Sequence, residues 1–259
     1  MASLPDLPGA YNLIALDHIG STNDEAKRLA ALGEEACPDG TLIWAKSQSS
    51  ARGRRGRTWE SLDGNLFLSL VLRPDVPMIE ASQLGYVAAL AIYDTIGELC
   101  PAGYEAHCKW PNDVLLNGSK FCGILLEASS STKGVLDWLV LGLGVNVTQH
   151  PRDIDADYSV TSFHGEGANA ITREDTLVSF ARNFVLWTRC WMDDGFSPIR
   201  ENWLWRAKGL DQEINVRLEN EVISGIFAGI DETGALMLRQ GQDTRIITVG
   251  DVFFPDTSP

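Results

Sequence analysis

Short apolar runs at residues 11–19 (YNLIALDHI), 41–47 (TLIWAKS) and 65–74 (NLFLSLVLRP) read as strands, the third ended by Pro74. Between the first two, STNDEAKRLAAL reads as a helix, with Thr22 and Glu25 at capping-box spacing. From Ile79 to Leu99 the apolar residues Leu84, Val87, Ala88, Ala91, Ile92 and Ile96 recur at helical period. YEAHCKW and DVLL are short strands around Pro111, and the NGS at 117–119 is a hairpin signal. KFCGILLEAS and VLDWLVLGLGVNV follow as apolar strands. Residues 172–194 return to helical period, with Leu177, Phe180, Phe184, Trp187 and Trp191 on one stripe.

Beyond about Lys208 only short strands remain, with turns at Glu219–Asn220 and Thr233–Gly234. The expected organisation is an α+β domain over 1–209, a mixed, largely antiparallel sheet with helices on one face. A small barrel-like β unit over 210–259 follows it.

Composition changes this picture little: 259 residues, 44% hydrophobic and 22% charged, suit one sizeable domain with an appendage. Charge changes it more. A net −14 argues against bulk binding to DNA or to anionic membranes. It also makes SQSSARGRRGRTWES, residues 47–61, conspicuous, because Arg52, Arg54, Arg55 and Arg57 crowd onto one glycine-broken loop. The five cysteines are odd in number and form no CxxC pair, so reduced thiols in a cytosol are the simpler reading. The four histidines make no zinc pattern with them. The start MASLPDLPGA shows no signal-peptide pattern, and the apolar stretch around Leu136–Val147 is too short to span a bilayer. The chain is expected in the cytoplasm.

Arginine supplies a planar fork of donors whose charge survives any physiological pH, and glycines let a backbone wrap a ligand. The loop therefore suits a phosphate or carboxylate, although it lacks the Walker pattern and reads equally as a solvated basic loop. KWPND, residues 109–113, sets polar side chains around a proline at a strand end, or is an ordinary turn. In KFCGILLE, residues 120–127, Gly123 interrupts bulky strand residues, a mark of close approach by a ligand or another backbone. GLGVNV, residues 142–147, is a weak dinucleotide signal. Its Asn146, inside an apolar strand, must either brace the backbone or bond a ligand.

Taken in order, SxxARGRRGRxW, KWPND, KxxGILLE and GLGVNV closely resemble the biotin protein ligases, and the likeness runs from GSTND at 20–24 to the C-terminal β unit. YSVTSF also looks like a segment of that family. The resemblance implies a class II synthetase-like biotin/lipoate ligase fold with an SH3-like C-terminal unit. It implies a two-step reaction: biotin and MgATP give biotinyl-5′-adenylate and pyrophosphate, then a lysine of a biotin carboxyl carrier protein or domain displaces AMP. By the same likeness Ser21, Thr22, Asn23 and Gln48 lie on the biotin headgroup. Arg52, Gly53 and Arg54 fold over the biotin carboxylate, and Gly123 lies on the biotin side. Arg54, Arg57 and Lys109 face the phosphates, and Lys120 contacts the carboxylate or bridging oxygen. Trp59, Asn112 and Asn146 match the nucleotide side, and Asp113 a magnesium or carrier-lysine partner.

One departure stands out. The family usually reads Gly-Arg-Gly-Arg, and here the first glycine is Ala51. Alanine costs about 1 kcal/mol or more if φ is positive there and is harmless if φ is negative; the intact arginines favour the second. With some ten residues before the first strand, no helix-turn-helix is expected and DNA is not an expected partner. Exposed strand edges leave a homodimer open. A lipoate ligase or octanoyltransferase shares the implied fold, but ARGRRGR and KWPND are the biotin-type forms. A non-catalytic anion- or nucleic-acid-binding module would need a broader basic face.

Overall fold

The computed structural model describes residues 4–130, 135–152 and 158–255. The first three residues of the expected catalytic domain and the last four of the expected C-terminal unit lie outside them.

The chain runs β1 (Asn12–Ile19), α1 (Thr22–Ala30), β2 (Thr41–Gln48), β3 (Leu66–Leu72), α2 (Met78–Ala81), α3 (Leu84–Leu99), β4 (Ala106–Lys109) and β5 (Asp113–Leu116). It continues through β6 (Ser119–Ser130), β7 (Leu136–Val145), α4 (Arg173–Asp194) and α5 (Phe196–Trp205). These strands form one sheet ordered β1-β2-β3-β7-β6-β5-β4. β1 and β2 pair in parallel and the other neighbours antiparallel, so the sheet is mixed, as expected.

Side-chain alternation sorts the two faces. Leu42, Leu70 and Leu141 enter the large core with α3, α4 and α5, whereas their neighbours Ile43, Val71 and Val140 pack with Ala26 and Ala30 of α1. The expectation of helices on one face thus holds for α3–α5, while α1 lies on the other. Its small apolar stripe covers only part of that face. The rest is left to Ser69, Gly142, Gly144 and Gly123, which share the register of Val71 and Val140.

Three local expectations need correction. The cap of α1 is Ser21, whose Oγ accepts from the Asp24 amide at 3.3 Å, and not Thr22. Thr22 turns inward instead, and Glu25 binds Arg28. The helix expected from Ile79 breaks at Ser82 and Gln83, where the Ser82 hydroxyl donates to the Ile79 carbonyl. Finally, α5 follows Gly195 (φ 75), in a stretch that the hydrophobic pattern did not assign. The NGS hairpin forms as expected, with positive φ at Asn117 (49) and Gly118 (80), the primed turn geometry.

The second sheet joins β8 (Glu213–Arg217), β9 (Val222–Ile230), β10 (Leu236–Gln240), β11 (Asp243–Ile247) and β12 (Asp251–Phe253) in the antiparallel order β11-β10-β9-β8-β12. This is the expected SH3-like unit. It docks through the Gly234 carbonyl, which accepts from both the Tyr86 hydroxyl and Trp110 Nε1. Trp110 of KWPND therefore faces the C-terminal unit, and Asn112 and Asp113 of the motif face the cleft.

Candidate active site

The cleft lies on the α1 face of the large sheet, with a volume of about 470 Å³. Every expected site residue lines it except Lys109, which sits in an adjoining small recess with Arg57, Asp113 and Asp251. Its floor is built from absent side chains. A methyl at Gly123 or Gly144 would come within 2.8 or 2.7 Å of the Trp59 ring, and one at Gly142 within 2.2 Å of Asn23 Oδ1. The Gly-x-Gly of GLGVNV thus clears space for two side chains over a strand. Trp59 packs its ring over both Gly123 and Gly144 on the cleft floor. Its buried Nε1 has no protein partner.

One end of the cleft is neutral and polar. Gln48 Oε1 accepts from the Thr22 amide (2.8 Å) and hydroxyl (3.0 Å), and Ser69 Oγ bridges Thr22 Oγ1 and Asn23 Oδ1. These short side chains on α1, β2 and β3 form a compact set of donors and acceptors. Ser69 was not among the expected residues. Its signal was a lone polar residue in the run LFLSLVL.

The other end is cationic. The loop closes on itself, with the Gly53 amide bonded to the Arg57 carbonyl (2.7 Å) and the Trp59 amide to the Ala51 carbonyl (3.1 Å). Among non-glycine residues of the loop, Arg55 alone has positive φ (54), so Ala51 adopts ordinary backbone and its methyl costs no strain. Ala51 is buried. The loop's anchors are ionic: Arg52 rests on Asp24, and Arg54, Arg55 and Arg57 converge on Asp251. Arg54 Nη1 also donates to Asn112 Oδ1 (3.2 Å), whose amide nitrogen is held by the Ile124 carbonyl (2.6 Å). Burial pulls the Arg54 pKa below its ordinary value, with Asp251 opposing, yet a guanidinium remains charged.

Lys120 Nζ lies 2.7 Å from Asp113 Oδ1. Burial works against its charge, but the Asp113 carboxylate outweighs burial and its pKa is raised. Lys109 is treated differently. It is 7% exposed, and the rings of Tyr158, Phe253 and Phe254 lie 5.3–5.9 Å from its ammonium. Burial lowers its pKa, with Asp113 opposing and Lys120 reinforcing the shift.

Asn146 braces the backbone and also lines the cleft. Its Nδ2 donates to the Thr161 carbonyl (3.1 Å) and its Oδ1 accepts from Asn65 (3.4 Å). Asn65, fully buried, in turn accepts the amides of Val147, Thr148 and Gln149. YSVTSF runs beside Lys120, whose amide bonds the Ser159 carbonyl (2.8 Å). Among the described residues, no group of three or more His, Cys, Asp or Glu could hold a metal ion.

The model of the biotin/lipoate A/B protein ligase family matches residues 7–205, and that of the biotin protein ligase C-terminal domain matches residues 209–254. The chain belongs to this ligase family. It is 41% identical over 237 residues to the biotin–[acetyl-CoA-carboxylase] ligase of Paracoccus denitrificans, covering 90% of this chain and 97% of that protein. It is 34% identical to the bifunctional ligase/repressor BirA of Bacillus subtilis, across 93% of this chain and 73% of that one. Among solved structures, a biotin protein ligase from Aquifex aeolicus in complex with biotin and ATP superposes with a TM-score of 0.76 at 26% identity, covering 93% of this chain and 97% of that one.

In this member of the ligase family, the residue most hidden from sequence reading is Asp251. It lies 194 positions from Arg57 in the chain, yet it meets the loop's arginines. Its acidic side chain in VGDVFF carried no pattern that could have revealed it.

Proposed function

We infer that the chain is an ATP-dependent ligase that joins biotin to a lysine of a carrier protein through biotinyl-5′-adenylate. The observation that carries this reading is the polarity of one continuous cleft, with a neutral hydrogen-bonding end at Ser21, Thr22, Asn23 and Gln48 and a cationic end at Arg54, Arg57 and Lys120. A ureido ring suits the first end and a carboxylate beside a triphosphate the second.

In the first step a carboxylate oxygen of biotin attacks the α-phosphorus, the P–O bond to the leaving group breaks, and pyrophosphate departs. Two anions must approach. Arg54, Arg57 and Lys120, with Lys109 from the adjoining recess, neutralise and align them. Arg52 and Gly53 close over the biotin carboxylate. Gly123 lets the Trp59 ring lie flat on the sheet, where it forms a wall for the biotin chain. Asn112 and Asn146 bind the nucleotide. In the second step a carrier lysine amine attacks the acyl carbon, an amide forms, AMP leaves and the amine sheds a proton. Asp113, beside Lys120, is the carboxylate nearest that chemistry.

Mg2+ fits this cleft as an ion carried by the phosphates. It would keep part of its own water shell and need no cage of protein ligands, with Asp113 as the cleft carboxylate that would hold it. The ion would supply charge neutralisation at the phosphates, a task the arginines share. The domains divide near residue 209, the acceptor is a biotin carboxyl carrier domain, and the working compartment is the cytoplasm. No helix among the described residues is long and apolar enough to cross a membrane.

The deciding experiment is mass spectrometry of a biotin carrier domain after incubation with this protein, ATP and either biotin or lipoate. A biotin adduct on one lysine is expected. An adduct only with lipoate would reassign the substrate, and none with either would overturn the ligase reading.

A further inference from the structure

Glu127 stands at the edge of the cleft without lining it, and none of the roles above uses it. It lies on β6, opposite Val140 of β7. Its Oε2 accepts from Asn23 Nδ2 at 2.8 Å, and its Oε1 accepts from Lys27 Nζ at 2.6 Å. Asn23 is buried, with its Oδ1 against the Ser69 hydroxyl at 2.5 Å and over Gly142.

The two ends of an asparagine amide have nearly the same shape, so a pocket must choose which end faces where. An ionised carboxylate only accepts. Glu127 therefore compels the amide nitrogen of Asn23 toward itself and the amide oxygen toward Ser69. That leaves Asn23 one N–H and one oxygen lone pair, in a fixed order, for a ligand. We propose that Glu127 is a positioning residue that sets the donor–acceptor order of the headgroup pocket through Asn23, and so helps select a ureido ring over acids that lack one. This rests on the assignment of that end of the cleft to biotin.

A bland alternative is that Glu127 serves only its ion pair with Lys27, which would be worth little at this exposure. Three variants of the full chain separate the two, each assayed by biotin-dependent ATP–pyrophosphate exchange. Glu127→Met keeps the bulk and removes the acceptor; the loss of a charge-assisted bond should raise the KM for biotin about tenfold or more. The KM for ATP should stay within about twofold, because the side-chain bonds of Asn23 run to Glu127 and Ser69 and not to Arg54, Arg57 or Lys120. Glu127→Gln retains an acceptor oxygen, so most of the biotin affinity should return, within about threefold of the unmodified protein. Lys27→Met removes the ion pair with Glu127, together with a second one to Asp24 at 3.1 Å, leaves the Glu127–Asn23 bond in place, and should keep the biotin KM within about twofold.

The proposal is overturned if Glu127→Met binds biotin normally, if both substrates' KM values rise together, or if Lys27→Met and Glu127→Gln are as damaged as Glu127→Met. If Glu127→Met does not fold, Asn23→Asp and the double variant Asn23→Asp with Glu127→Gln supply the test. The carboxylate pair of the first is relieved in the second by a glutamine N–H, so part of the lost biotin affinity should return, and equal losses in both would count against the proposal. Absence of exchange in the unmodified protein would instead overturn the ligase reading itself, and the two failures are thereby distinct.

Discussion

The carboxylate of Asp251, on β12 of the C-terminal unit, lies 2.5 Å from the guanidinium of Arg57 in the arginine loop. Arg54 and Arg55 stand 3.6 and 3.8 Å from the same carboxylate, which is itself only 19% exposed. One acid thus offsets three cations and ties the loop to the second sheet. Without it, three guanidiniums would face one another with no shared counter-charge. Asp251→Ala should therefore raise amide hydrogen exchange across residues 52–58 by about fivefold or more, the equivalent of ~1 kcal/mol. Protection of β3 and β7 should be unaffected. Unaltered exchange would mean that the loop's own backbone bonds hold it.

Arg54 is the best-placed of the loop's cations. It touches Asn112, the Gly250 carbonyl and Asp251, and its side chain is 20% exposed. A fixed charge aimed at a developing oxyanion accounts for about 10²–10³ in rate when removed. Arg54→Ala should slow ATP–pyrophosphate exchange by that order while urea unfolding stays within ~1 kcal/mol of the unmodified protein. An unchanged exchange rate would remove Arg54 from the catalytic set.

Much of this was legible from the sequence because it is written in local patterns. Apolar runs and turn residues located β1 to β10, whereas RIITVGDVFF read as one strand and is divided between β11 and β12; the arginine loop, KWPND and KFCGILLE located the cations. What escaped depended on contacts distant in sequence. Thr22 looked like a helix cap by spacing, but Ser21 won that position because Gln48 and Ser69 draw the Thr22 hydroxyl inward. Gly142 and Gly144 looked like half of a dinucleotide signature, and only the packing of Asn23 and Trp59 above them explains the missing side chains. Asp251 and Asn65 had no signal at all, because their partners lie far along the chain. Ala51 posed a question that the sequence framed and the backbone answered: only a positive φ would have made it costly.

The glycine floor makes its own prediction. A methyl at Gly144 would lie 2.7 Å from Trp59 Cε2, well inside van der Waals contact, so the ring must lift into the cleft. Biotin would meet a displaced ring where it should meet a flat wall. Gly144→Ala should weaken biotin binding about tenfold or more by isothermal titration, since misplacement near 1 Å is enough to lose that much. Gly97 in α3 is a control, because a methyl there meets nothing within 4 Å, and Gly97→Ala should bind biotin normally. Equal affinity in Gly144→Ala would show that Trp59 yields without cost.

Lys120 of the cleft and Lys109 of the adjoining recess should part company as pH rises. Burial lowers the pKa of Lys109, whereas Asp113 raises that of Lys120 against burial, so Lys109 loses its proton first. If Lys109 neutralises the phosphates, adenylate formation should fall on the alkaline side, below the ordinary lysine range. Stability should move the other way. A lysine whose folded pKa lies below its unfolded value is disfavoured while charged. The unfolded state then binds more protons between the two values, and folding stability rises with pH across that window. Activity falling while the unfolding midpoint holds or rises is therefore the expected signature. Lys109→Arg supplies a charge that does not titrate in this range and should shift the alkaline limb upward by about one pH unit or more. A limb at the same pH in both proteins would assign it to another group, and would leave Lys109 as a packed cation among the rings of Tyr158, Phe253 and Phe254.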